Sequence, residues 1–206
     1  MTTLHIEPGE PWTGAKKDLV GADVLVAAYF TGADAALIRA DQVEDKMRAR
    51  GERLSALFLL LSGFEAFLNC YFRILAEERS DKRQKLIEIT EDKRKPLRKK
   101  ALQLPYQAFG KRPANLEVVV QQIAEYAEMR HRYMHLKHEW IDVHIGAEIT
   151  IGGMMEVAGL DFENRSGVRH LMVLIRIYMK SIFKLNGSQS ISHLVDRWTK
   201  SVVDWR

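Results

Sequence analysis

The chain is poor in several things. Its 206 residues include one cysteine, Cys70. It has no partner for an internal disulfide, so nothing points to an oxidising compartment. Cys70 lies in the apolar run from Phe67 to Phe72 and reads as a small buried hydrophobe rather than a nucleophile. The most apolar stretch, Leu54 to Phe64, is followed at once by Glu65 and falls short of the roughly 20 residues that span a bilayer. Residues 1–17 carry Glu7, Pro8, Glu10 and Pro11 and no apolar signal region. No internal repeat or low-complexity tract stands out. These absences set the expectation of a cytoplasmic protein with no membrane contact.

What is present is ordinary core material. A hydrophobic fraction of 47% against 28% charged residues suits a globular protein, and the length suits a single domain over residues 1–206. The formal charge of +4 says little by itself. Its distribution says more: residues 82–112 hold eleven Lys and Arg against Glu88, Glu91 and Asp92, a local excess of +8, so the remainder sums to −4. A basic segment on a mildly acidic body is either a footprint for a polyanion or a solvated helix face rich in lysine. The residues that would hold a nucleic-acid backbone are Lys93, Arg94, Lys95, Arg98, Lys99, Lys100, Lys111 and Arg112.

The hydrophobic periodicity is mostly helical. Residues 1–15 read as an irregular arm, and residues from Lys16 to about Arg50 favour helix, with Gly51 expected to break or bend it. From Glu52 to Glu78, residues Leu54, Leu57, Phe58, Leu61, Phe64, Leu68, Tyr71, Phe72 and Leu75 recur at steps of mainly three and four. Glu65 falls inside this stripe, four residues before Asn69, and a carboxylate there calls for a partner. Residues 82–103 predict one helix or two short ones broken near Pro96, and Leu104 to Asn115 predicts a loop marked by Pro105, Gly110 and Pro113. A helix then runs from Leu116 to about Trp140, capped by Asn115, with Leu116, Val119, Val120, Ile123, Ala127, Arg130 and Met134 on one stripe. Alternation from Val143 to Ile151, then Gly152 and Gly153, predicts a β-hairpin over about 143–160. Helices over about 165–185 and 190–205 close the chain. The expected class is all-α, a helical bundle with a small inserted hairpin.

The segment Glu128 to His138 carries the residues best suited to chemistry. Arg130 stands five positions before His135 near a helix end. RNA brings its own nucleophile, the 2′-hydroxyl. Its cleavage needs a group that moves a proton near neutral pH, which histidine is. It also needs a cation that grips phosphate oxygens, which arginine does with a planar fork. At about 100° per residue the two side chains stand about 140° apart on an ideal helix. They converge only if the helix frays near His135 or if two copies of it meet at a two-fold axis. A second reading is metal binding, since His131, His135 and His138 share one face at i, i+4 and i+7. Against it, Arg132 stands where a zincin places its Glu, and no cysteine cluster helps. A third reading is that these are polar residues on an exposed helix end.

The run Arg130-His131-Arg132-Tyr133-Met134-His135 resembles the signature of the HEPN superfamily: an Arg, a polar residue, then a His after four to six intervening positions. The earlier helix with Phe64-Glu65-Ala66-Phe67-Leu68-Asn69 is similar to the one in which these domains often carry a Glu and an Asn. The resemblance covers roughly residues 52–140. It implies an all-α fold, a homodimer with the motif near the interface, and metal-independent endoribonuclease activity that leaves a 2′,3′-cyclic phosphate and needs no cofactor. By this resemblance His135 is the general acid/base, Arg130 the phosphate clamp and His131 an auxiliary. Glu65 and Asn69 would position Arg130 or support the dimer, and a Glu65–Arg130 pair would answer the desolvation of Glu65. The implied setting is a toxin–antitoxin or phage-defence system, with an antitoxin or defence partner. Other members are inactive and serve only as RNA-binding or dimerisation modules. The chain departs from one toxin group, which has a Tyr two residues after the motif His as the target of a nucleotidyltransferase antitoxin; Lys137 stands there.

Overall fold

The computed structural model describes residues 14–134 and 165–186. Among these, every regular element is an α-helix. They are α1 (Gly14–Gln42), α2 (Lys46–Glu78), α3 (Arg83–Glu91), α4 (Leu97–Phe109), α5 (Leu116–Met134) and α6 (Arg165–Asn186). The described part of the chain is therefore all-α. The hairpin expected over 143–160 and the helix expected over 190–205 lie outside the described residues.

The first break in the helical run falls before Gly51. The Asp45 carboxylate accepts from the amides of Met47 at 2.8 Å and Arg48 at 3.3 Å, two donors that a new helix leaves unsatisfied. A good cap in extended backbone thus starts α2 at Lys46, and Gly51 sits inside the helix, its carbonyl taken by Ser55 Oγ at 2.9 Å. The break near Pro96 is found as the sequence predicts: the proline directly precedes α4, where a missing amide costs no helical bond.

The expected loop over 104–115 is a correction. α4 continues through Pro105 to Phe109 and ends at Gly110, whose left-handed φ of 70° closes the helix with a bond from its amide to the Tyr106 carbonyl. Pro105 cannot donate to the carbonyl four residues back, that of Ala101. The hydroxyl of Tyr178 in α6 donates to it instead, at 2.8 Å. Asn115, expected to cap α5, adopts φ 63°, a conformation Asn tolerates, and its carbonyl accepts from Val119.

α2 packs against each of the other five helices. Its buried residues include Leu57, Leu60, Leu61, Phe64, Phe67, Leu68, Phe72 and Leu75. By length and composition α2 is apolar enough to cross a membrane, and it is the one such helix among the described residues. Half of that apolar stretch is buried inside the bundle. Phe64 and Phe67 pack edge-on against Tyr178, and Tyr71 packs edge-on against Phe183. A Cβ on Gly63 would lie 2.9 Å from the Tyr29 Cβ, so glycine allows the close approach of α1. Arg39 grips both Glu52 carboxylate oxygens, at 3.0 and 2.9 Å, across the same pair of helices.

The pairings fix helix directions. α6 runs with α2, from Tyr178 beside Phe64 to Asn186 beside Arg79. α4 runs the same way, from Ala101 beside Tyr178 to Ala108, whose carbonyl accepts from Arg79 at 2.7 Å and from Lys82 at 3.2 Å. α5 returns against them: the Tyr126 hydroxyl donates to Gly167 at the start of α6 at 2.8 Å. α1 also runs against α2, and Asp41 near its end pairs with Arg169. The α1–α2 turn, the end of α5 and the start of α6 therefore share one end of the bundle.

Candidate functional site

The first turns of α5 are fixed in the core. Leu116, Val120, Ile123 and Ala124 are buried, Val119 and Ala127 are half-buried, and Tyr126 is tied to α6. Burial fades along this face, so that Arg130 is half-buried and His131 exposed. Of the sequence-predicted catalytic residues, Arg130 and His131 are thus neighbours at the bundle end. His135 lies outside the described residues, as does His138.

Glu65 and Asn69 do not meet Arg130 as expected. Glu65 is half-buried, and no ion pair or hydrogen bond joins it to Arg130. Asn69 serves another residue. Its Oδ1 accepts from Lys100 Nζ at a long 3.5 Å, and the same ammonium donates to the Thr90 carbonyl at 3.1 Å. Lys100 is 3% exposed. This corrects its assignment to an RNA-binding surface: the ammonium is turned into the junction of α2, α3 and α4, where backbone and amide oxygens replace its water.

The other cations of the basic segment stay outside. Lys93 and Arg94 are exposed in the turn after α3, where the Arg94 amide bonds Asp92 Oδ1 at 3.0 Å. Lys95 is half-buried and lies 3.9 Å from Asp92. Arg98 and Lys99 are exposed on the first turn of α4, and Lys111 is exposed beyond its end. Arg112 folds back: its Nε donates to the Leu102 carbonyl and its NH1 to Glu117, each at 3.1 Å, and its guanidinium lies over the Tyr106 ring.

Sequence reasoning missed a cavity of about 360 Å³ at the α1–α2 turn. Lys46, Arg50 and Arg53 line it from one face of α2, beside Asp41 and Glu44. The i, i+4, i+7 spacing of the three cations is legible in sequence, but the cavity depends on where α1 ends. Among the described residues no group of three or more His, Cys, Asp and Glu is placed to hold a metal. Comparison of the chain with family models, with curated proteins and with solved structures found no match in any of the three.

Proposed function

We propose that the chain is a metal-independent endoribonuclease of the HEPN type, acting at the end of α5. The observation that carries this reading is the setting of Arg130: half-buried near the end of a helix whose earlier turns are locked in the core, with His131 exposed beside it. On this reading the Arg130 guanidinium takes the charge that develops on a phosphorane. In the reaction the RNA 2′-oxygen attacks the adjacent phosphorus as its proton is removed, and the bond to the 5′-oxygen breaks as that oxygen gains a proton. The products are a 2′,3′-cyclic phosphate and a 5′-hydroxyl. His135 moves the proton, Arg130 clamps the phosphate and His131 assists.

The exposed cations Lys93, Arg94, Arg98 and Lys99 supply backbone attraction without reading sequence. The same reading makes the protein a cytoplasmic homodimer, with two copies of α5 meeting so that Arg130 and His135 converge, and a component of a toxin–antitoxin or phage-defence system. The exposed cations also fit a module that binds RNA without cutting it, because their surface does not depend on His135.

The test is cleavage of single-stranded RNA by the purified protein in EDTA, beside His135→Ala and Arg130→Ala. Cyclic-phosphate ends that persist in EDTA and fall at least about 100-fold in His135→Ala are expected, the scale of a lost general acid or base. Equal cleavage by wild type and His135→Ala would overturn the assignment. Salt-sensitive binding with no cleavage would select the non-cutting module.

A further inference from the structure

The exposed side of α4 places an aromatic ring among cations. Tyr106 is 52% exposed, although it lies on the helix whose other face enters the core. Phe109, three residues on, turns inward against Phe72 and under the Arg79 guanidinium. The two aromatic residues of the basic segment thus have different fates, and Tyr106 is the one left at the surface. Its ring carries the Arg112 guanidinium 5.4 Å from the centroid. That guanidinium is not a wandering surface group. The Leu102 carbonyl and the Glu117 carboxylate each hold it at 3.1 Å, and the left-handed turn at Gly110 brings the chain back over the last turn of α4. Arg98 and Lys99 lie about two turns earlier, exposed, and Arg98 precedes Tyr106 by about 12 Å along the helix.

We propose that Tyr106, backed by Arg112, is a stacking platform for an unpaired base of single-stranded RNA, with Arg98 and Lys99 holding neighbouring phosphates. The ring offers a base a flat apolar surface, and the guanidinium over it orders the ring and adds positive charge beside the strand. Bases in a duplex are stacked on each other and cannot use it, so the platform selects single strands. The inference rests on the reading that the ligand is RNA, but not on cleavage.

The probe is a short, fluorescein-labelled 2′-O-methyl oligonucleotide, which lacks the free 2′-hydroxyl nucleophile and so reports binding alone. Its affinity for the full chain is measured by anisotropy for wild type, Tyr106→Ala and Tyr106→Phe. Tyr106→Ala should bind about tenfold more weakly, the scale of one lost base stack, while Tyr106→Phe stays close to wild type. An abasic strand of the same length should abolish the difference between wild type and Tyr106→Ala. Equal binding of the base-bearing strand by wild type and Tyr106→Ala would overturn the platform while leaving RNA binding intact. No binding by wild type would overturn both the RNA reading and the platform. Tyr106-dependent binding without cleavage of natural RNA would uphold the platform and remove only the enzyme.

Discussion

Tyr178 makes the hydrogen bond that Pro105 cannot. The proline has no amide to give the Ala101 carbonyl, and the Tyr178 hydroxyl reaches that carbonyl from α6 at 2.8 Å, with the tyrosine wholly buried. Tyr178→Phe should keep the ring packing and lose the bond, leaving a buried acceptor unsatisfied at a cost of about 1–3 kcal/mol in urea unfolding. Pro105→Ala placed in that background restores an amide for Ala101 and should recover part of the loss. Additive effects of the two substitutions would show that they do not share the carbonyl.

Lys99 and Lys100 should behave as opposites. Lys100→Ala removes a buried ammonium from Thr90 and Asn69, and thermal or urea unfolding should reveal a loss of about 2 kcal/mol or more. Lys99→Ala, at an exposed site, should change stability by no more than about 0.5 kcal/mol and instead weaken RNA binding. If Lys100→Ala were as stable as wild type, its burial would have to be abandoned.

Binding of a single strand should follow salt through the exposed cations. Each of Lys93→Ala, Arg94→Ala, Arg98→Ala and Lys99→Ala should flatten the plot of log affinity against log salt by about 0.7 where that residue neutralises one phosphate. Tyr106→Ala should lower the affinity and leave the slope unchanged. A slope insensitive to all four lysine and arginine changes would move the RNA path off this face.

Two tyrosines should couple stability to alkaline pH. Burial is the main cause that raises the phenol pKa of both Tyr178 and Tyr71 above the ordinary value of about 10; Tyr71 adds to the shift at Tyr178, and Glu78 to that at Tyr71. Above about pH 10 the unfolded chain loses these protons while the folded chain keeps them. Their contribution is therefore complete below that pH and declines as pH rises through the window up to the folded pKa. Ultraviolet titration should show both phenolates appearing only with unfolding. Tyr178→Phe should make stability less steeply dependent on pH there.

Much of the frame was legible because it rests on local signals. The helix expected over about 165–185 matches α6, and the break expected near Pro96 falls directly before α4. The α1–α2 break was assigned to Gly51 although Asp45 was present as a capping residue; a side chain that satisfies two amides outweighed a glycine's weak helical preference. Pro105 could not be read locally at all, because what lets α4 pass through it is a hydroxyl supplied from Tyr178. Lys100 looked like its exposed neighbours, and only the meeting of α2, α3 and α4 buries it. At the site, the motif order placed Arg130 and His131 on one helix end, whereas the supposed pairing of Glu65 with Arg130 depended on helix rotation, which the stripe alone does not specify.

The bond between Tyr126 and Gly167 also bears on how the molecule can vary. It joins α5, about two turns before Met134, to the first turn of α6, so Met134 and Arg165 lie at the same end of the bundle. Lengthening a connection anchored this way raises its closure entropy only slowly. Insertions between Met134 and Arg165 should therefore cost the six described helices little stability.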